Sequence, residues 1–169
     1  MDVCDAKNVH ETTTQESKFW YCFTPKHHGG GRSDDSKWHP DLSRPEEFQV
    51  FDMADLHRLK DKKGDLFGLW IVETKDGRKL LELGTKREQV ARFWAEQGDG
   101  HPWHGHPVWH VMSEKKSGQS GESGNRSKQG CRPDDEVFNR MVERRLLSAN
   151  NARRLRNGSH IGKLGGSGQ

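Results

Sequence analysis

Ten consecutive residues hold most of the chemistry that this sequence offers: His101-Pro102-Trp103-His104-Gly105-His106-Pro107-Val108-Trp109-His110. Four imidazoles sit beside two indoles, and imidazole is both the commonest metal ligand and the side chain that titrates nearest neutrality. The two prolines forbid a helix and impose an extended, turning backbone. Alternate side chains of an extended chain share a face, so His104 and His106 point the same way. Zinc takes three or four N, S or O ligands in a tetrahedron. His101, His104, His106 and His110 are therefore the candidate ligands for zinc or another divalent metal, with Asp99 in reach. No H-E-x-x-H or histidine/cysteine finger spacing occurs. The plainer reading is packing of tryptophan on proline, with histidines bonded to loop carbonyls.

A second loop could complete such a site. Thr24 to Pro45 contains His27-His28-Gly29-Gly30-Gly31-Arg32-Ser33-Asp34-Asp35, then Trp38-His39-Pro40. Glycines let backbone amides approach an anion, and Arg32 could clamp a phosphate or carboxylate. The G-x-x-x-x-G-K-[ST] pattern of a nucleotide loop is absent. Trp38-His39 echoes Trp103-His104 in composition. With His27, His28, Arg32 and Trp103 these residues form two lips of one cleft, or else a mobile loop. The decisive observation is whether His27, His28 or His39 approaches His104 or His106.

The third candidate is electrostatic. Residues 1–112 hold 16 Lys/Arg against 19 Asp/Glu, whereas residues 113–169 hold 12 against 6. A slightly acidic body thus carries a basic C-terminal third, which points to a polyanion or an acidic partner. Arg140, Arg144, Arg145, Arg153, Arg154 and Arg156 crowd two predicted helices, with Asn150 and Asn151 near the start of the second. Arginine and asparagine hold phosphates and read base edges. Two helices joined by a tight turn fit a helix–turn–helix arrangement or a solvated helical hairpin.

The elements that must position these groups can be read from periodicity and punctuation. Phe19–Phe23 reads as a strand, and residues 52–62 as a helix ended by Gly64. Residues 46–53 are ambiguous and could form a short strand. Residues 66–74 and 78–83 read as a hairpin turning at Asp76-Gly77. Thr85-x-x-Glu88 reads as a capping box that starts a helix running to about Glu96, and Val108–Met112 as a last strand. Pro133-Asp134-Asp135-Glu136 starts one C-terminal helix, with proline early and acids at the positive dipole end; Ser148 caps the next, and Gly158 ends it.

The expected fold is α+β: a small, mostly antiparallel sheet with helices on one face, and a linker-tethered helical hairpin. The expected divisions are a disordered N-terminus at 1–17, a core domain at 18–112 and a flexible linker at 113–131. The basic helical pair follows at 132–164, and a disordered tail at 165–169. Apolar residues make up only 30% of the chain and charged residues 31%, so the core should be confined to part of the length. No run approaches the roughly 18 apolar residues of a membrane span, and the N-terminus lacks a leader pattern. Without a leader, Cys4, Cys22 and Cys131 are expected as reduced thiols in the cytoplasm, and their odd number and lack of C-x-x-C spacing argue against a disulfide framework or a zinc ribbon.

Three functions fit. The leading one is a non-enzymatic binding protein whose C-terminal pair engages nucleic acid or an acidic protein surface. The others are a metal-dependent hydrolase or nuclease built on the histidine loops, and a small antitoxin- or immunity-type protein that neutralises a partner. Oligomeric state is open.

Overall fold

A computed structural model describes residues 9–29, 36–95, 101–108 and 132–164. Five strands form the larger sheet: β1 (Val9–Thr13), β2 (Trp20–Cys22), β3 (Leu66–Gly68), β6 (Val90–Ala95) and β7 (Trp103–Val108). Their order is β1-β2-β7-β6-β3. All neighbours are antiparallel except β2 and β7, where Tyr21 lies opposite Trp103. A smaller antiparallel sheet, β4-β5-β8, is made by β4 (Ile71–Thr74), β5 (Gly77–Leu80) and β8 (Lys163–Leu164). With α1 (Arg44–Leu56), α2 (Asp135–Glu143) and α3 (Ala149–Arg156), the fold is α+β.

Alternation along the strands sorts side chains to two cores. Tyr21, Leu66, Ala91, Phe93 and Trp103 join Val50, Phe51 and Ala54 of α1 in one cluster. Phe67, Val90 and Val108 join Val137, Phe138 and Met141 of α2 and Leu155 of α3 in the other. The C-terminal helices therefore contribute to a core that they share with the larger sheet.

Several boundaries differ from the sequence reading, each for a local reason. The first helix is Arg44–Leu56, not 52–62. Ser43 caps it, accepting from Glu46 N while Glu46 Oε2 accepts from Ser43 N at 2.8 Å, and Pro45 sits in its first turn. That S-x-x-E box is visible in the sequence, and it makes the ambiguous 46–53 segment helical. The helix stops at His57, and Arg58 turns the chain at φ +53°.

Residues 66–74 are two strands in two sheets, parted at Leu69-Trp70. A Cβ on Gly68 would lie 2.6 Å from Val50 Cγ1, so glycine lets α1 sit directly on β3. The hairpin between β4 and β5 is real. Thr74 lies opposite Gly77, which places Lys75-Asp76 in the turn and Gly77 just after it at φ +101°.

Residues 85–96 were expected to be helical, yet Val90–Ala95 is strand β6. Val90, Ala91 and Phe93 are all buried, and the strand has neighbours on both sides. Burial of both faces hides the two-residue period and leaves a spacing that imitates a helix. Glu88 still turns back on a backbone amide, that of Lys86 at 2.7 Å, but it closes a turn.

Val9–Thr13, within the N-terminal stretch expected to be disordered, pairs with β2. The last strand of the larger sheet ends at Val108, and Trp109–Met112 lie outside the described residues, as do the linker and the tail. Both C-terminal helices form as expected, with Ser148 capping α3 and Gly158 at φ +83°; α2 starts later than expected, because Asp134 caps it and Pro133 precedes the helix.

Candidate functional site

The proline-spaced histidine segment is β7, and its pleat divides the residues as an extended backbone requires. Trp103, Gly105 and Pro107 are buried on one face; His104 and His106 share the other and are half-buried. Gly105 is needed there: a Cβ would meet Phe93 at 2.2 Å. On β6, Trp94 lies opposite His104 and Arg92 opposite His106. The Trp94 ring packs edge-on to both imidazoles, at centroid distances of 4.1 and 5.1 Å. Arg92 lies over that indole at 5.0 Å and donates through Nε to Asp65 at 2.7 Å.

The first loop does reach this face. Pro25–His28 form a short 3-10 helix opened by Pro25. Its His27 ring stacks on His106 with 4.8 Å between centroids. The loop is held by bonds from His27 Nδ1 to the Ser36 carbonyl at 2.8 Å and from Trp38 N to the His27 carbonyl at 2.9 Å. Trp38 is no lip of a cleft. It is buried, with its indole N–H donating to the Gly105 carbonyl at 3.2 Å.

The imidazoles therefore converge, but as stacked rings. His106 donates through Nδ1 to the Pro107 carbonyl at 2.8 Å. Burial first, then the nearby His27, Arg92 and His104, bring its pKa down to about 4, against the pull of that carbonyl. Among the described residues no group of three or more His, Cys, Asp or Glu is placed to hold a metal ion. His39 stands apart, bonded to the Asp41 amide, and His101 is exposed. Arg32 and His110 lie outside the described residues.

His28 takes a different partner. Its Nε2 lies 2.6 Å from Glu47 Oε2, and the Tyr21 hydroxyl donates to Glu47 Oε1. Glu47 and Tyr21 are fully buried, while 24% of the His28 side chain is exposed. Burial raises the Glu47 pKa despite opposition from His28, Tyr21 and Arg44. Burial, then the Glu47 charge, pushes the Tyr21 phenol well up. A buried carboxylate fixes the imidazole's orientation and can exchange a proton with it. The sequence reading missed Glu47 and Tyr21. The signal was there: 47, 50, 51 and 54 follow helical spacing, which puts a carboxylate on the apolar stripe of α1.

The C-terminal arginines divide into tied and outward groups. Arg140 donates to the carbonyls of Arg58 and Lys60 at 3.0 and 2.8 Å and pairs with Glu136. Arg156 bonds Asp135 at 3.0 Å. Arg153 reaches Asn150 at 3.0 Å and Arg154 the His160 carbonyl at 3.3 Å, but both remain exposed, as do Arg144 and Arg145. Asn150 is exposed; Asn151 is buried, so its amide is not on the outer surface.

Cys22 is fully buried and disulfide-bonded. The expectation of three reduced thiols thus fails: a buried strand sulfur can serve as a cross-link that restricts the unfolded chain. Compared with known proteins, the chain matches no family model, no curated protein and no solved structure.

Proposed function

We propose that the chain is a non-enzymatic binding protein whose C-terminal helical pair engages nucleic acid. The carrying observation is the split within that pair: its apolar side lies in the body's core, and Arg144, Arg145, Arg153 and Arg154 remain exposed outside it. Exposed guanidiniums on a rigid support suit phosphate contacts, which give affinity without sequence readout. Titration of duplex DNA and single-stranded RNA at several salt concentrations tests this. Binding should weaken with salt. Replacing the four arginines with Ala should flatten the slope on duplex DNA by about 0.9 units for each phosphate that an arginine had neutralised. No affinity for either polymer at low salt overturns the reading and promotes an acidic protein surface as the partner.

Catalysis at the histidine loops has one supporting observation, the His28–Glu47–Tyr21 chain, and it involves no metal. Tightly bound metal would have to come through residues outside the described ones. Less than about 0.2 equivalents of metal in protein purified without histidine-affinity resin would dispose of it. Among the described residues no helix is long and apolar enough to cross a membrane. The cytoplasm was the expected location, and the Cys22 disulfide favours an oxidising compartment instead.

A further inference from the structure

The smaller sheet is open along β4, whose one strand neighbour among the described residues is β5. In an antiparallel ladder, residues turn their N–H and C=O groups alternately towards the partner strand and away from it. The bond from Leu81 N to the Trp70 carbonyl at 2.9 Å fixes the phase. Val72 and Thr74, opposite Lys79 and Gly77, therefore bond towards β5, while Ile71 and Glu73 turn their main-chain groups outward. Among the described residues nothing bonds those two donors and two acceptors. Sheet edges are commonly blunted by proline, a bulge or a covering segment. β4 has no proline, and its register with β5 runs unbroken.

This edge borders a groove of about 360 Å³, walled on the other side by Gln49 and Met53 of α1 and by Leu146. Its apolar lining comes from the rims of both cores: Trp70 packs against the aromatic one, Met53 and Ile71 against the aliphatic one, and all three stay half-buried. Two charged residues line it, Glu73 and Arg78, and they face each other at 3.5 Å. Arg78 also donates to the carbonyls of Arg145 and Leu146 at 2.9 and 3.3 Å. The charges cancel, so the groove complements an uncharged ligand. Residues bonded to Ile71 and Glu73 would lie on the same face as these two, which sends alternate side chains of an added strand into the groove. A second copy is a poor occupant. Its own β4 is walled by α1 and Leu146 in the same way, and two recessed edges meet wall against wall before strand reaches strand.

We propose that β4 and this groove bind an extended segment of a partner protein by strand addition, with aliphatic side chains at alternate positions of that segment. Main-chain bonds to Ile71 and Glu73 hold its backbone, and its aliphatic side chains lie against Trp70, Ile71 and Met53. The site goes beyond the nucleic-acid reading and stands without it, because it uses main-chain groups and apolar side chains and no exposed guanidinium.

The probe is the peptide Lys-Thr-Ile-Thr-Val-Thr-Lys with blocked ends, titrated into the full chain and followed by nitrogen–proton correlation spectra. Saturable shifts should centre on the amides of Ile71 and Glu73. Methylating the Ile and Val nitrogens of the peptide removes the two donors that meet the edge and should weaken binding about tenfold. Methylating the Thr nitrogen between them should leave binding unchanged, because that N–H points away. Glu73→Pro removes one outward donor at a place where an edge strand accepts proline, and should weaken binding about fivefold. The methylated peptides test the same bonds on the wild-type chain, so a misfolded variant would not decide the matter. The proposal falls if the Ile71 and Glu73 amides do not shift, or if both methylated peptides bind alike. Slow deuterium exchange at these two amides in the dilute free chain would mean that a segment of this chain fills the edge. Slow exchange that appears only at concentrations where sedimentation shows a dimer would give it to a second copy. Either result overturns the proposal. Absence of nucleic-acid binding would count against the helical-pair reading and not this one.

Discussion

The two cores of this protein solve the same problem with different chemistry. The core under α1 is aromatic: Tyr21, Phe23, Trp38, Phe51, Phe93 and Trp103. The core under α2 and α3 is largely aliphatic, with Leu59, Leu69, Leu80, Val90, Met141, Leu155 and Ile161. Each encloses a polar side chain. In the aliphatic core, Gln89 donates to the carbonyls of Leu80 and Ile161 at 3.2 and 2.6 Å and accepts from Ile161 N at 2.9 Å. A neutral amide with its bonds made is a staple: it ties the C-terminal segment to the hairpin and responds to nothing. In the aromatic core the polar group is Glu47, which can lose or gain a proton and reaches solvent through His28. A titratable group costs more to bury than an amide, and such costs concentrate where proton chemistry or recognition takes place.

The largest effect should come from the aromatic core itself. Phe93 is fully buried and meets the rings of Tyr21, Trp38 and Phe51. Phe93→Ala should lower the urea-unfolding free energy by about 3–5 kcal/mol. A loss below about 1 kcal/mol would mean that this core is loosely packed and would erase the contrast.

Next in size is the staple. Gln89→Leu strands the Ile161 amide and two carbonyls, which should cost about 2–3 kcal/mol. Because no charge is involved, the loss should be equal at pH 5 and pH 7. Faster amide exchange at Ile161 would locate the damage, and a pH-dependent loss would break the comparison.

His106, on the same sheet face as Val90 and Val108, provides a titratable contrast to that amide. Its folded pKa of about 4 lies below the ordinary 6.5, so the unfolded chain binds the proton more readily between those values. Stability from the neutral ring is complete above about 6.5 and is lost as pH falls towards 4. Between pH 7 and pH 5 the wild type should lose about 2 kcal/mol more than His106→Gln. Parallel pH profiles for the two proteins would rule this out.

The subtlest test concerns Glu47. A carboxyl whose folded pKa is raised contributes stability below its unfolded value, and that contribution is lost as pH rises through the folded value. Glu47→Gln should therefore gain on the wild type as pH rises from 4 to 7. Urea midpoints that differ by a constant amount over that range would show that Glu47 behaves as another Gln89.

How much of this was legible in the chain depends on how local each signal was. The alternation that puts His104 and His106 on one face follows from backbone geometry and two prolines, and it appears as read. So does the cap at Ser148, whose hydroxyl meets the amide three residues on; Asp134 caps α2 in the same way, where an early proline was expected. The hairpin turn was displaced by a single residue. The Ser43 box was equally local and was overlooked because the apolar pattern after it suits two structures. Strand β6 failed for the opposite reason: with both faces buried, no period remained to reveal a strand.

What the sequence determined by itself, then, was the α+β class, the two C-terminal helices and the charge asymmetry, all set within a few residues of chain or by simple composition. Tertiary structure decided the partners. His27 and His28 are adjacent and chemically identical, yet one stacks on His106 and the other holds Glu47. It likewise tied Arg140 to the body and Arg156 to α2, and left Arg144 and Arg145 exposed. Short-range geometry is encoded in neighbours along the chain, whereas a side chain's partner depends on which distant element packing brings beside it.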